Sequence, residues 1–354
     1  MGEASKKGRI SAVGLGFTFA GCFLGAGYVS GRELWQFFGK YGIPGFAGLV
    51  FSLLLLFYLW PVTLLLTRRT ADIRLGELVI PWKVPRLKSF ADVFTVFFLY
   101  GISCIMTAGA GALFGQAFGL LPQASALAFA LLVAILTLTG LEGMIAVFSL
   151  IVPILVLSTL LLSVTAFFRF PVETGFFPAD SHISPGSLVF SAVVYAAYNM
   201  FGSVAILAPL GERTRNRKTL YGGILFGTLL LFLIAASILL VLLTHPETTK
   251  EELPMLSVAG LLSQKAEWIF AILLFAAMLG TAFSCFLTAF RQTKEMVPLI
   301  QTKERFFVLL FSILLWLGSL FGFSRLIDWI YPVFGVIGAF FLAGLVLNYR
   351  KRMK

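Results

Sequence analysis

The residues able to do chemistry in this chain are few, and several sit where a membrane helix should carry none. Gly25, Ala26 and Gly27 lie inside the first long apolar stretch, in the segment GCFLGAGYVSGRE. Glycine opens backbone conformations closed to other residues and weakens a helix by about 1 kcal/mol relative to alanine. An interruption here predicts a half-helix starting near Tyr28 whose free N–H groups attract a carboxylate. The freed carbonyls of Gly21 to Leu24 attract a cation, so an amino-acid zwitterion satisfies both ends. Leu24, Gly25, Ala26, Gly27 and Tyr28 are therefore candidate substrate-binding residues. The competing explanation is close helix packing through small residues four apart, a spacing that Gly21, Gly25 and Gly27, Gly31 also show.

A second interruption is expected in YNMFGS, where Tyr198, Asn199, Gly202 and Ser203 fall in an otherwise apolar segment that later meets Pro209. Asn199 can bind substrate or bridge two helices, and Tyr198 reads as a packing residue or lid. In FAAMLGTAFSCFLTAF, Thr281 and Ser284 are three apart and share a helix face. With the carbonyls of Gly21 and Leu24 they offer an all-oxygen site for a hard cation such as sodium, although membrane hydroxyls commonly bond to their own backbone. Ser103 and Thr107 are possible polar contacts, and Gly109, Gly111 and Gly115 look like close-packing positions.

An unpaired charge at the centre of a membrane helix costs roughly 2.5 to 3.5 kcal/mol on insertion scales. Arg32, Glu33, Arg325 and Asp328 therefore suggest an outer gate, closed by an Arg32–Asp328 or a Glu33–Arg325 pair. Asp328 alternatively reads as a carboxylate favoured at a helix N-terminus. No Lys, His, Asp or Glu falls near the middle of the third, fifth, sixth or eighth span, which speaks against a buried proton relay and a cationic substrate. His182 and His245 lie in outer loops, so no general base or metal centre is evident and an enzyme is not expected. No cofactor is called for beyond sodium as a possible coupling ion. In the loop around HPETTKEEL, Thr248 and Glu251 have the spacing of a capping box for a short surface helix.

These residues must be positioned by membrane helices. The chain of 354 residues is 59% hydrophobic and 12% charged, with mean hydropathy +0.97, a composition foreign to soluble globules. Ten spans are predicted, at 10–41, 42–66, 90–119, 123–141, 143–169, 187–211, 218–244, 265–291, 303–321 and 324–349. Cys22, Cys104 and Cys285 fall within spans and read as small buried apolar residues. With the N-terminus in the cytoplasm, 21 of the 27 Lys and Arg lie on the inner side, the positive-inside bias of a multi-pass protein of the plasma (inner) membrane. Both termini, 1–9 and 350–354, are then cytoplasmic. The net charge of +11 is thus a cytoplasmic-side bias and not the footprint of a nucleic-acid binder.

Cut in the outer loop 170–186, the chain gives halves of similar length, 10–169 and 187–349, whose corresponding spans begin within about four residues of the same offset. Five spans is an odd number, so the second half is inverted, the layout of many secondary transporters.

GAGYVSGRE followed by LWQFFGKYG, with YNMFGSVAILAPLGE later, resembles the YkvI-type bacterial membrane proteins of the amino acid, polyamine and organocation transporter superfamily. The resemblance spans the whole chain. It implies an all-α, LeuT-type five-plus-five inverted repeat with the first and sixth helices broken, and a substrate carboxylate near the backbone of Gly25, Ala26 and Gly27. It also implies a sodium site from the carbonyls of Gly21 and Leu24 with span-eight hydroxyls. Two departures are visible: Thr281 is flanked by Gly280 and Ala282 where sodium-coupled members carry adjacent hydroxyls, and Arg32 is displaced by one position from the gate arginine. The expected function is secondary transport of a small, neutral amino acid or related metabolite, with a non-transporting ligand sensor of the germinant-receptor type and a channel as alternatives. The expected partners are a small-molecule substrate and the lipid bilayer.

Overall fold

The computed structural model describes residues 10–67, 75–82, 84–139, 144–170, 184–208, 210–214 and 216–353. Outside the described residues lie the tail 1–9 with Lys6, Lys7 and Arg9; the basic residues Arg68, Arg69, Arg74, Lys83, Arg215 and Lys354; His182 with most of the 170–186 loop; and Pro209. Among the described residues the chain is helical, with no strand and one isolated bridge between Ile10 and Thr214. In chain order the helices are α1 (Ala12–Phe23), α2 (Ala26–Val29), α3 (Arg32–Phe37), α4 (Pro44–Thr67), α5 (Leu75–Val79), α6 (Pro85–Phe118), α7 (Pro122–Thr139) and α8 (Met144–Arg169). They continue with α9 (Pro185–Leu207), α10 (Leu210–Arg213), α11 (Arg217–Thr244), α12 (Pro254–Leu262), α13 (Gln264–Met296), α14 (Pro298–Thr302), α15 (Glu304–Ser319) and α16 (Phe323–Met353).

Every predicted span contains a helix, and seven of these helices are long and apolar enough to cross a membrane. Their ends follow local chemistry. Ser11, Asn216 and Ser263 accept hydrogen bonds from the first free N–H groups of α1, α11 and α13. Proline opens α6, α9, α12 and α14, where its missing N–H costs nothing.

The helices pack α6 on α13, α1 on α11, α9 on α16 and α4 on α9. The α1–α11 contact is glycine to glycine: a side-chain carbon on Gly227 would stand 2.7 Å from the Gly16 carbonyl oxygen. Gly109, Gly111 and Gly115 likewise approach Phe323 and Pro122 too closely for a larger residue. Phe94, Phe98, Phe201 and Phe334 knit α6, α9 and α16 together through mutually tilted rings.

Two expectations are corrected. The helix α9 runs without interruption through Tyr198–Ser203 and ends at Leu207, just before Pro209. A lone Gly202 costs too little to break a helix whose neighbours are apolar, whereas a proline removes a backbone donor. The capping box at Thr248 is also absent. Residues Pro246–Lys250 form a 3-10 turn in which the Thr248 hydroxyl donates to the His245 carbonyl, and the helix that follows, α12, is largely buried.

Candidate functional site

The first span is interrupted twice. After α1 the backbone turns at Leu24 and extends at Gly25 (φ −75°, ψ 175°); α2 lasts one turn before Gly31, at φ 81°, redirects the chain into α3. The half-helix therefore begins at Ala26, two residues before the predicted start. The Leu24 N–H donates to Ala20 and the Gly25 N–H to Phe23, at 3.1 and 2.8 Å. Among the described residues this leaves the carbonyls of Gly21, Cys22 and Leu24, and the N–H groups of Ala26, Gly27 and Tyr28, without a backbone partner. Unpaired backbone groups this far from water are costly, so the break is poised for a polar ligand.

The three glycines around the break have different reasons to be glycine. A side-chain carbon on Gly25 would meet nothing closer than the Thr281 hydroxyl at 3.7 Å, so close packing does not account for it. On Gly27 the same carbon would stand 2.8 Å from Glu33 Oε2. Gly31 occupies the left-handed region, where other residues are strained, and is enclosed by Leu242 and Ile238.

On one side of the break stands α13. Thr95, Thr107 and Thr288 bond back to their own helices, but the hydroxyls of Thr281 and Ser284 make no hydrogen bond among the described residues. Ser103 donates to the Leu99 and Ala282 carbonyls, both at 3.1 Å, fixing α6 against α13 next to Thr281. Ser103 and Thr107 thus spend their hydroxyls on structure. So does Tyr28, which donates to the Leu231 carbonyl at 2.7 Å and keeps only its backbone for a ligand.

On the other side Glu33 turns inward. It is buried beside Gly27, with Oε1 3.5 Å from Asn199 Nδ2, which also donates to the Tyr195 carbonyl. Ser203 bonds back to Asn199 and Met200, and Gly202 packs against Phe98 and Ile102. The Tyr198 ring lies between Phe37 and Tyr331, with centroids 5.5 and 4.5 Å away and planes tilted by 22° and 19°. The hydroxyls of Tyr195 and Tyr198 are buried without a hydrogen-bond partner. The sequence reading missed Glu33 as an inner residue. The signal lay in Gly31, because a left-handed residue between Gly27 and Glu33 reverses the direction in which the latter points.

Arg32, the preceding residue, points the other way. Its Nη2 stands 3.1 Å from Asp328 Oδ2 and its Nη1 donates to the Thr249 carbonyl at 3.2 Å. Of the two predicted pairs the structure forms this one. The Glu33–Arg325 pair is not formed, since Arg325 is exposed and Glu33 buried. The N-terminus of α16 is not held by Asp328; Glu252 accepts from both the Ser324 N–H and hydroxyl at 2.6 Å.

A helical membrane protein with a buried break in its first span falls in a fold class that includes solved transporters. Over 95% of its length the chain superposes on 78% of a mutant form of the Eremococcus coleocola manganese transporter, with TM-score 0.57 and 13% identity. The same transporter in complex with an aromatic bis-isothiourea compound gives TM-score 0.52 and 13% identity, covering 96% of this chain and 95% of that one. In sequence the chain is 26% identical over 346 residues to the uncharacterized membrane protein YkvI of Bacillus subtilis (strain 168), covering 97% of this chain and 98% of the relative. It is 25% identical over 349 residues to the uncharacterized protein YyaD of the same organism, covering 92% and 94%. No family model matches.

Proposed function

We propose that the protein is a secondary transporter that moves a small neutral amino acid, or a closely related metabolite, across the bacterial plasma membrane by alternating access. The observation that carries this reading is the break at Leu24–Gly25, with free carbonyls on one side and the free N–H groups of buried residues on the other. A zwitterion offers its carboxylate to the N–H groups of Ala26 and Gly27 and its ammonium to the Cys22 carbonyl, leaving those of Gly21 and Leu24 for a coupling ion. The cargo in the structural neighbours' names, manganese, prefers a cage of oxygen ligands. Here Glu33 is the carboxylate beside the break, and among the described residues no three metal-ligating side chains gather.

The packing supports an inverted repeat. The third span pairs with the eighth, the first with the seventh and the second with the sixth, and exchanging the halves maps the first pair onto itself and the other two onto each other. Sodium is the coupling ion in this reading, with the free carbonyls of Gly21 and Leu24 and the unengaged hydroxyls of Thr281 and Ser284 as the hard oxygen donors it would take. Both termini face the cytoplasm, and Arg32–Asp328 closes the outer side.

The test is a thermal-shift screen of the purified protein against amino acids with and without sodium, followed by uptake into sealed liposomes under an ion gradient. A ligand at 100 times its dissociation constant stabilises by about 2.7 kcal/mol. Saturable uptake of that ligand is expected; binding without uptake for every ligand overturns the transporter reading.

A further inference from the structure

We propose that Glu33 is a proton-binding site, holding a proton while Arg32 and Asp328 are paired and releasing it when α3 swings about Gly31 to open that pair. The proposal rests on the transporter reading for its purpose but not for its test. Glu33 is buried, and its carboxylate lies against Gly27, where a methyl group would have to push it aside. Its hydrogen-bond partner is the neutral Asn199 amide, at a long 3.5 Å, and no cation of the described residues pairs with it. A buried carboxylate without a countercharge takes up a proton. The site lies on the Ile327 side of the break, away from Thr281 and the proposed sodium donors.

The surroundings of α3 offer Glu33 two neutral donors, the Asn199 amide and the Tyr195 hydroxyl, and no cation that pairs with it. From α2 comes Tyr28, with its hydroxyl committed to Leu231; from α9 Tyr195 and from α16 Tyr331, both neutral phenols. The helix α11 presents Ile238 and Leu242 at Gly31. Of the nearby charges, Arg32 precedes Glu33 at the start of α3 but is engaged with Asp328 and Thr249, and Lys40 lies beyond the far end of α3.

Arg32 and Glu33 are adjacent on a helix of six residues hinged at a left-handed glycine. A rotation that pulls Arg32 from Asp328 therefore also withdraws Glu33 from Gly27 and Asn199 toward water, where it ionises. Protons thus favour the closed pair, and opening releases one.

Infrared difference spectroscopy of the full chain in nanodiscs, titrated with protons from about pH 5 to 9, reads this without knowledge of the cargo. The wild type should show the C=O band of a protonated, buried carboxylic acid that disappears as the pH rises. The band should be lost in Glu33→Gln and displaced in frequency in Glu33→Asp. In Asp328→Asn, which frees α3, it should disappear at a lower pH than in the wild type. A wild type without a titrating band, or a band unchanged in Glu33→Gln, overturns the proposal. If Glu33→Gln does not fold, an undisplaced band in Glu33→Asp overturns it instead; a band that titrates identically in Asp328→Asn removes the link to the ion pair. Should liposome uptake fail while the band behaves as expected, the transporter reading falls and the proton site stands.

Discussion

The first span and α9 carry similar sequence invitations to break, and only one of them does. Both are apolar, both hold glycine at mid-length and both place hydroxyl or amide side chains nearby. In the first span the free backbone groups face the Thr281 hydroxyl and a buried polar cluster. In α9 the residue that would break, Gly202, packs so closely that an added side-chain carbon would stand 3.0 Å from Phe98 and near Ile102, so freed carbonyls there would meet hydrocarbon. A break in a membrane helix is decided less by the glycine than by what waits to receive the exposed backbone. The polar groups of α9 then serve the other helix: Asn199 reaches Glu33 and Tyr198 stacks against Phe37.

That contrast can be broken or sharpened by substitution. The largest effect is expected at Gly31: valine there combines left-handed strain with contacts to Leu242 and Ile238, and should cost about 3 kcal/mol, seen as a lowered unfolding temperature in detergent. Gly27→Ala should come next, at about 2 kcal/mol, because its methyl group displaces Glu33; Gly25→Ala, whose methyl group meets only Thr281 at ordinary contact distance, should leave stability within about 0.5 kcal/mol. The pair serves as its own control, and equal losses of thermal stability would refute the assignment of Glu33 to Gly27. Asp328→Asn removes a partly buried ion pair and should cost about 1 kcal/mol, with the difference from wild type shrinking as salt is raised. The smallest effect is expected at Gly202→Ala, where helix propensity gains about what crowding against Phe98 loses. Its uptake should match the wild type, and abolished uptake at full stability would mean that α9 opens during the cycle.

Much of this was legible beforehand. Hydropathy and length placed a helix in each predicted span, because the hydrocarbon core demands a long apolar run wherever the chain crosses. The interruption near Gly25 was legible from Gly-Ala-Gly followed in the same apolar stretch by Arg32 and Glu33; glycine spacing alone does not mark it, since Gly14 and Gly16, and Gly109 and Gly111, lie in unbroken helices. The Arg32–Asp328 contact was one of two pairings left open by charge scarcity. What could not be read was direction. Residues 32 and 33 are neighbours in sequence, yet one points to Asp328 and the other to Gly27, and the choice is made by the backbone at Gly31 together with the packing of α11 behind it.

The sequence by itself determined that this is a multi-span helical membrane protein with a weakened first helix and charges too few to be incidental. Those properties follow from side-chain transfer energies and backbone freedom, which are local. Only the tertiary structure decided which helix breaks, which hydroxyls remain unspent and which carboxylate lies inside. Each of these depends on what a distant helix offers at that point: Thr281 beside Gly25, Phe98 against Gly202, Asn199 facing Glu33.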